Sequence, residues 1–312
     1  MDELLGEFNL ERIRKKFGIL PQVINRFTIE EEELRKIYDH YKSCLRKLNK
    51  YREEILTCLN GDLRGKVHSV KGRLKDPDHL IEKIIRNVNS KPAKYGVINS
   101  QNYYKIITDL LGFRVIILDK RDWRGIHDSL LSIFQNKPER YAKSPTDIVT
   151  NYDRYLIKCD NKEDRKNTSY HAEKPNVYIT SADDRKLYEH DFLKIDNSKT
   201  HYRSIHYIIR YAEFYFEIQV RTIFEEGWLE FDHRITYPYD MNNEKKKKYI
   251  RMLNSLAMTA DQLISFYDED DFAMDIGGEK AQNMKTADKI IENGKNMNND
   301  LNDFETVLVR EF

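Results

Sequence analysis

Residues 202–233 read YRSIHYIIRYAEFYFEIQVRTIFEEGWLEFDH and contain the clearest structural pattern in the chain. Two strand-like runs meet at a short turn near Ala212 and Glu213. The second run alternates apolar and polar side chains, and a period of two gives a strand one apolar and one polar face. The apolar positions are Phe214, Phe216, Ile218 and Val220, and the polar positions are Tyr215, Glu217, Gln219 and Arg221. The pattern predicts an antiparallel hairpin with one polar face.

The polar face of this hairpin carries an unusual set of side chains. Glu217, Gln219 and Arg221 supply a carboxylate, an amide and a guanidinium in a row on the second run. The first run adds four more polar side chains, at Tyr202, Ser204, His206 and Arg210. A plain surface strand rarely combines these groups, whereas a site that binds a metal ion and a polyphosphate needs them. We therefore expect a functional site on this face.

The size and composition of the chain narrow the class of protein. Its 312 residues can hold one large domain with helical extensions, and 40% of them are apolar, which is enough for a packed core. Charged residues make up 34% of the chain, but the net formal charge is only +1. This balance argues against a general nucleic-acid coat, which needs a large basic excess.

Cysteine use and hydropathy indicate the compartment. Cys44, Cys58 and Cys159 form no close pair and predict neither a disulfide framework nor a zinc site. The N-terminus lacks the apolar core of a signal peptide, and no apolar run approaches the roughly 20 residues that span a bilayer. We therefore expect a protein of the reduced cytoplasm with no membrane segment.

Composition divides the chain into three parts. Residues 1–60 form a predicted N-terminal helical extension, residues 61–240 a mixed domain, and residues 241–312 a C-terminal helical extension. Within the domain, residues 140–200 are polar and irregular, which indicates an insertion, a lid or a partly disordered segment. The residues alone predict an α/β or α+β domain with an antiparallel hairpin.

The periodic patterns give bounds for the individual elements. Predicted helices cover residues 1–20, 28–60, 77–87, 103–111, 122–134, 224–235, 249–267 and 284–309. Predicted strands cover residues 67–70, 113–118 and 176–181, in addition to the hairpin at 202–220. Thr28 and Glu31 form a capping-box pattern at the start of the long helix, and Asn60 with Gly61 predicts its end.

Further candidate functional residues lie outside the hairpin. The turn from Gly72 to Lys75, with Lys83 one helix later, supplies the converging cations that phosphates require. Asp109 stands at the mouth of a buried strand and Arg114 lies inside it, and both are costly there unless a counter-charge or ion pairs with them. His233 follows on the helix after the hairpin.

Four sequence segments together resemble the synthetase region of the RelA/SpoT family. They are VKGRLK at 70–75 with Lys83, DLLGFRVII at 109–117, YRSIH at 202–206, and EIQVRT at 217–222 followed by EEGWLEFDH at 225–233. Enzymes of this family transfer pyrophosphate from ATP to the 3′-hydroxyl of a guanine nucleotide. The resemblance covers residues 40–240 and implies an α+β fold, with a nucleotidyltransferase-like mixed β-sheet flanked by helices.

The resemblance also implies roles for the matching residues. Asp109 and Glu217 would hold a Mg²⁺ ion that bridges the ATP phosphates, and Glu217 would accept the proton of the attacking hydroxyl. The residues implied to bind ATP are Arg73, which would also stack on adenine, Lys75, Lys83 and Arg114. Tyr202 would stack on the acceptor base, and the other residues implied on the acceptor side are Arg203, His206, Gln219, Arg221 and His233. The resemblance does not decide which of these support the carboxylates and which contact acceptor phosphates.

The chain departs from the family pattern on the acceptor side. Thr200 and His201 stand where the family has Asn-Gly, and His79 stands where it has a serine. The long stretch at 140–200 replaces a short basic loop. The identity of the acceptor is therefore open, although ATP and a guanine nucleotide are the substrates that the resemblance favours.

Three functional alternatives remain at this stage. The first is synthesis of (p)ppGpp from ATP and GDP or GTP. The second is a toxic small synthetase that pyrophosphorylates the 3′ end of tRNA or makes (p)ppApp, in which case the basic segments at 64–75 and 245–248 could bind the RNA. The third is a catalytically silent nucleotide-binding module. The family further implies either a homo-oligomer through terminal helices or an antitoxin partner.

Overall fold

A computed structural model describes residues 6–19, 29–135, 161–180, 183–189, 193–197, 202–235 and 243–276. The chain divides into two compact units. The first unit comprises Met1–Ile117 and Asp122–Arg221, and the second comprises Leu118–Arg121 and Thr222–Phe312.

The first unit contains most of the regular elements. Its described helices are α1 (Leu10–Phe17), α2 (Glu31–Asp62), α3 (Pro77–Ser90), α4 (Pro92–Tyr95), α5 (Tyr103–Ile106), α6 (Trp123–Ile133) and α7 (Lys162–Thr168). Its described strands are β1 (Ser69–Leu74), β2 (Leu111–Ile117), β3 (Tyr170–His171), β4 (Asn176–Ile179), β5 (Lys194–Asn197), β6 (Ser204–Tyr211) and β7 (Phe214–Thr222). A short 3₁₀ helix lies at Arg185–Tyr188.

The strands form one mixed sheet in the order β1-β2-β7-β6-β4-β5, and β3 pairs with β6. The pairs β1–β2, β6–β7, β4–β6 and β3–β6 are antiparallel, whereas β4–β5 is parallel. A mixed sheet flanked by helices confirms the expected α+β fold. The predicted hairpin is also confirmed, with Ile208 opposite Glu217 and His206 opposite Gln219.

The two faces of the sheet differ in chemistry, as the alternation predicts. On one face, the Phe113 and Phe216 rings lie 5.2 Å apart and Phe134 packs on Phe216 at 5.5 Å. On the other face, Arg73 pairs with Gly112 across β1 and β2, and Lys71 pairs with Arg114. Burial of the aromatic face therefore fixes which residues line the opposite, polar face.

Several predicted bounds are corrected by the structure. Helix α1 is shorter than predicted because Gly18, with φ of 61°, ends it in the left-handed region. The predicted capping box is wrong because α2 begins at Glu31 with Glu30 at the N-cap, which makes no capping hydrogen bond; Thr28 lies outside the described residues. Nor does Asn60 end α2, which continues to Asp62.

The helix predicted at 103–111 is also wrong beyond its first turn. Only Tyr103–Ile106 is helical, and Leu111 already belongs to β2. Leu111 pairs with Leu74, and the Lys75 amide donates to the Leu110 carbonyl over 3.0 Å. Sheet pairing therefore overrides the helical propensity of the segment. The same pairing makes β1 run from Ser69 to Leu74 instead of 67–70.

The stretch predicted as an irregular insertion contains regular secondary structure in its described residues. Its described residues include helix α7 and strands β3, β4 and β5. The Arg165 guanidinium on α7 forms two hydrogen bonds with the Glu54 carboxylate on α2, of 3.1 and 2.5 Å, and both side chains are buried. The Tyr211 hydroxyl donates to the same carboxylate over 2.8 Å. A buried ion pair thus ties the inserted stretch to the first long helix and to the hairpin.

The second unit consists mainly of two helices, α8 (Ile223–Ile235) and α9 (Glu244–Ile276). Thr222 and Glu225 form a reciprocal capping box at the start of α8, with bonds of 3.0 and 3.1 Å. The Trp228 indole donates to the Ile250 carbonyl of α9 over 3.0 Å. The helix predicted at 284–309 lies outside the described residues. None of the described helices has the length and hydropathy needed to cross a membrane.

Gly72 allows close packing of β1 on α2 and β2. A Cβ atom at this position would lie 2.8 Å from Phe113 Cε1 and 3.1 Å from Leu56 Cδ2. The Phe113 ring is fully buried and cannot move aside without disturbing Phe216. Any side chain at position 72 therefore overpacks the core.

We predict that Gly72→Ala lowers the free energy of unfolding by about 1–3 kcal/mol because the added methyl group overlaps the Phe113 ring. Urea denaturation of the purified variant measures this change. Gly61→Ala is the matched control, because a Cβ atom there meets nothing within 4 Å. Equal unfolding midpoints for the two variants would contradict the packing argument.

Two buried histidines flank Tyr207 on the aromatic side of the sheet. His127 Nδ1 lies 3.1 Å from the Tyr207 hydroxyl, and His171 Nε2 lies 3.2 Å from the Leu130 carbonyl oxygen. Both imidazoles are inaccessible to solvent. Burial lowers the pKa of His171 from 6.5 to about 4. Nε2 of His171 therefore donates to Leu130, and the ring is held neutral.

We predict that the fold loses stability as the pH falls from 7 to 4. The unfolded chain binds a proton at His171 from about pH 6.5 downward, whereas the folded chain does so only near pH 4, so the loss reaches about 3 kcal/mol. Chemical denaturation at several pH values measures the slope, which His171→Gln should flatten. His68→Gln, which removes an exposed imidazole, should retain the wild-type slope.

Candidate active site

Asp109 lies at the centre of a cationic cluster. Its Oδ2 atom is 2.9 Å from Lys75 Nζ and 2.8 Å from Lys83 Nζ. Lys75 follows β1, Lys83 lies on α3, and Asp109 precedes β2, so three separate elements converge here. The Asp109 Oδ1 atom is buried and has no hydrogen-bond partner among the described residues. That oxygen is therefore available to a cation.

The charges of this cluster are strongly coupled. Burial alone would raise the pKa of Asp109, but the adjacent Lys83 and Lys75 ammonium groups outweigh it and hold that pKa well below its usual range. Burial lowers the pKa of Lys83, yet Asp109 raises it by more, so the net shift is upward. The pKa of Lys75 is lowered by burial, which Asp109 offsets only in part. Asp109 is thus an ionised carboxylate near neutral pH.

Glu217 belongs to a closed ring of hydrogen bonds on the polar face. Its Oε1 atom is 2.9 Å from His206 Nδ1, and its Oε2 atom accepts a 2.6 Å bond from Gln219 Nε2. Arg221 Nη2 donates to Gln219 Oε1 and to the Tyr202 hydroxyl, each over 2.6 Å. The Tyr202 hydroxyl lies 2.7 Å from His206 Nε2, which closes the ring. We call these five residues the hairpin ring.

The bonding pattern of the hairpin ring fixes the direction of most of its hydrogen bonds. The Glu217 carboxylate can only accept, so Nδ1 of His206 carries a proton. The direction of the bond between Nε2 of His206 and the Tyr202 hydroxyl depends on whether that nitrogen is also protonated. The same hydroxyl accepts from Arg221, so both of its principal bonds are made within the protein.

The Asp109 cluster and the hairpin ring act on each other electrostatically. Burial raises the pKa of Glu217, but His206 lowers it by more, so the net shift is downward. Asp109 raises the pKa of Glu217 and Lys83 lowers it, each by a smaller amount. The carboxylates at 109 and 217 therefore share one charged environment, which β2 and β7 build as neighbours in the sheet.

Arg73 and Arg114 lie on the same polar face. Arg73 is exposed on β1, where it pairs with Gly112, and its charge contributes to lowering the pKa of Lys75. Arg114 is half-buried on β2 and pairs with Lys71. Together with Lys75 and Lys83, they give one side of the face a positive charge.

Arg203 is a sequence-predicted residue that belongs to neither cluster. The Arg203 side chain is only 2% exposed, and its Nη1 atom lies 3.9 Å from Asp183 Oδ1, so it is part of the interior. A direct contact between Arg203 and an acceptor does not fit this burial. His233 is exposed on α8 in the second unit.

Lys94 and Glu173 are neighbours of the site that sequence reasoning missed. Burial lowers the pKa of Lys94, and Glu173 offsets this; Lys83 and Asp109 also act on Lys94. Burial raises the pKa of Glu173, and Lys94 opposes this; Glu217 and His206 also act on it. Lys94 lies on the four-residue helix α4, and Glu173 lies in the stretch predicted as an insertion, so no local pattern identifies either residue.

The carboxylates define where a divalent ion could bind. Among the described residues, no group of three or more His, Cys, Asp or Glu side chains could hold a metal ion. Asp109 Oδ1 and the Glu217 carboxylate offer two hard oxygen ligands, one of them without a hydrogen-bond partner. Mg²⁺ fits such a site because it binds proteins through one or two carboxylates and takes its other ligands from phosphates and water.

Comparison with known proteins places this geometry in context. The model of the region found in RelA / SpoT proteins matches residues 72–242, which include both clusters. The resemblance inferred from the four segments is confirmed by this match. No curated protein sequence is significantly similar to the chain.

Similar solved structures include small alarmone synthetase 1 from Bacillus subtilis, at 18% identity and a TM-score of 0.46, covering 74% of this chain and 97% of that chain. A GTP pyrophosphokinase family protein from Streptococcus pneumoniae matches at 17% identity and a TM-score of 0.42, covering 78% and 95%. The Bacillus subtilis protein bound to its product pppGpp matches at 18% identity and a TM-score of 0.41, covering 74% and 93%. The sequence match to the family region is the finding that identifies the chain.

We predict that Asp109→Asn lowers the free energy of unfolding by about 3 kcal/mol, because two largely buried lysines lose their counter-charge. Chemical denaturation measures the effect. Adding Lys75→Met to this variant should restore part of the loss, since one unpaired charge is then removed. Asp196→Asn, at a more exposed pair with Lys194, should cost less than about 1 kcal/mol. A loss of less than about 1 kcal/mol in Asp109→Asn would contradict the charge coupling of Asp109 with Lys75 and Lys83.

Proposed function

The chain belongs to the RelA/SpoT family and is a GTP pyrophosphokinase-like enzyme, and we propose that it transfers the β,γ-pyrophosphate of ATP to the 3′-hydroxyl of GDP or GTP. The products are AMP and (p)ppGpp. The observation that carries this proposal is that two carboxylates and a group of cations lie together at one polar face of the sheet. Asp109 and Glu217 influence each other there, beside Lys75 and Lys83.

The cations on the β1 side supply the binding site for ATP. Lys75 and Lys83 are largely buried and face Asp109, while Arg73 is exposed on the neighbouring strand. Phosphate oxygens can replace the Asp109 carboxylate as partners of the two ammonium groups, because both are point charges with several donors. Arg73 is placed on the same face to neutralise further charge and to stack on the adenine ring. Arg114 extends the positive surface along β2.

The hairpin ring supplies the acceptor side. Glu217 is ionised near neutral pH, since its pKa is lowered, and it can accept the proton of the attacking 3′-hydroxyl. His206 and Gln219 hold one oxygen each and thereby fix the orientation of the carboxylate. Tyr202 provides an aromatic surface for the acceptor base. Much of the rate enhancement then comes from holding two substrates in line and neutralising charge.

Asp109, through its Oδ1 atom, and Glu217 would hold a Mg²⁺ ion, which would take its other ligands from phosphate and water. When bound, it neutralises charge on the pyrophosphoryl group that is transferred. Lys75 and Lys83 keep Asp109 ionised, so the carboxylate is ready to bind the cation without losing a proton.

The decisive experiment is mass spectrometry of the products formed from ATP and Mg²⁺ with GDP, GTP, ATP or bulk tRNA as the acceptor. Formation of AMP together with (p)ppGpp supports the proposal. Transfer only to tRNA or to ATP would assign the chain to the toxic branch instead, and a partner antitoxin would then be expected. If no acceptor yields AMP above background, the chain is a silent nucleotide-binding module.

We predict that Glu217→Gln lowers kcat by roughly 100- to 10,000-fold, because the amide cannot take the proton of the hydroxyl. The ATP dissociation constant measured without Mg²⁺ should change little, since Lys75 and Lys83, which bind ATP, remain. Steady-state kinetics and a binding assay measure the two quantities. Glu163→Gln, at an exposed position on α7, serves as the control and should retain wild-type turnover. Full activity of Glu217→Gln would exclude this residue as the base.

A further inference from the structure

Arg221 is enclosed in the protein instead of being presented to a substrate. Only 2% of the residue is exposed, and its guanidinium donates to Ser204, Tyr202 and Gln219. The guanidinium carbon also lies 5.4 Å from the centroid of the Tyr202 ring. Arg221 therefore contacts the aromatic ring and, through Gln219, the carboxylate of Glu217.

We propose that Arg221 and Gln219 are positioning residues that couple the acceptor platform Tyr202 to the proton acceptor Glu217 as one rigid unit. The hairpin ring joins these two functional groups by two routes, one through Gln219 and Arg221 and the other through His206. This inference rests on the proposed function. The resemblance left two roles open for these residues, support of the carboxylates and contact with acceptor phosphates; the inference selects the first for Gln219 and Arg221 and extends it to Tyr202.

A closed ring of hydrogen bonds limits independent motion of its members. Tyr202 cannot rotate without breaking its bonds to both Arg221 and His206, and Glu217 cannot rotate without breaking its bonds to both Gln219 and His206. The reacting hydroxyl of an acceptor stacked on Tyr202 therefore keeps a fixed position relative to the Glu217 carboxylate. Such orientation contributes to kcat more than to binding.

The same geometry limits how Tyr202 recognises the acceptor. Its hydroxyl is already hydrogen-bonded to both Arg221 and His206, so it is committed to partners inside the protein. Tyr202 then contributes the face of its ring, and stacking tolerates any base because every base has a π-face. Selection between guanine and adenine must therefore come from residues other than Tyr202.

Arg210 offers a matched control on the same sheet face. It is 3% exposed, its Nε atom donates to the Ala212 carbonyl over 3.0 Å, and its guanidinium lies 6.0 Å from the Tyr215 ring. It thus repeats a buried arginine next to a tyrosine at the hairpin turn, outside the hairpin ring. Arg210→Met should destabilise the fold to a similar extent as Arg221→Met without lowering kcat.

The test is a double-mutant cycle in the full-length protein with Arg221→Met, Tyr202→Phe and the double variant. Each single change opens the ring, so we expect each to lower kcat about tenfold with less than a threefold change in the KM for ATP. Since both changes act through the same unit, kcat of the double variant should be no more than about twofold below kcat of the less active single variant. Gln219→Leu with Tyr202→Phe gives a second cycle should Arg221→Met fail to fold.

The outcomes separate this inference from the proposed function. If the wild-type enzyme turns over and the fold losses in kcat of the single variants multiply in both cycles, the two residues act independently. That result would overturn the coupling and leave the proposed reaction standing. A change of more than tenfold in the ratio of guanine to adenine acceptor efficiency in Tyr202→Phe would overturn the claim about base recognition. If the wild-type protein turns over no acceptor, the proposed function fails and the positioning role fails with it.

Discussion

The register between β6 and β7 is the constraint on which the site depends. Because successive side chains of a strand point to opposite faces, the pairing of Ile208 with Glu217 places Glu217, Gln219 and Arg221 on the same side as His206. A slip of one residue would move Phe216 and Ile218 to solvent and bury Glu217 against Phe113. The aromatic core therefore specifies the site, since it admits only the register that exposes the carboxylate to its partners.

This arrangement concentrates several charged side chains in a partly buried site, where their desolvation is unfavourable. Asp109, Lys75 and Lys83 would each be costly to desolvate alone, and their mutual contacts compensate for much of that cost. The hairpin ring solves the same problem with directed hydrogen bonds, as Glu217 accepts from the side chains of His206 and Gln219. The two solutions differ in mobility: point charges can exchange partners when a polyphosphate arrives, whereas a closed ring preserves its geometry.

Much of the fold could be predicted from local patterns. The alternation from Phe214 to Val220 identified the hairpin and its faces, because burial on one side of a strand leaves a period of two in the sequence. The helix proposed over 103–111 was wrong, since pairing of Leu111 with Leu74 depends on residues distant in the chain. The grouping of Lys75 with Lys83 was inferred from their charges, whereas the joining of Asp109 to the site came from the family resemblance, because spacing alone could not bring three elements together.

Other features of the site had no local signal. The burial of Arg221 follows from Ser204 and Tyr202 on the adjoining strand, and an arginine in an alternating strand would otherwise be taken as exposed. Arg203 pairs with Asp183 from a segment whose sequence shows no clear periodicity. Lys94 and Glu173 likewise become neighbours of the site only through the folding of distant segments.

The ion pair between Arg165 and Glu54 has a consequence for the evolution of the inserted stretch. An appendage held only by exposed contacts can be trimmed or exchanged with little effect, whereas this one neutralises a carboxylate that the long helix α2 keeps out of water. Removal of the Arg165 segment would leave the Glu54 carboxylate buried with only the Tyr211 hydroxyl as a hydrogen-bond partner among the described residues. We therefore expect a shortened chain to tolerate the loss better when Glu54 is replaced as well.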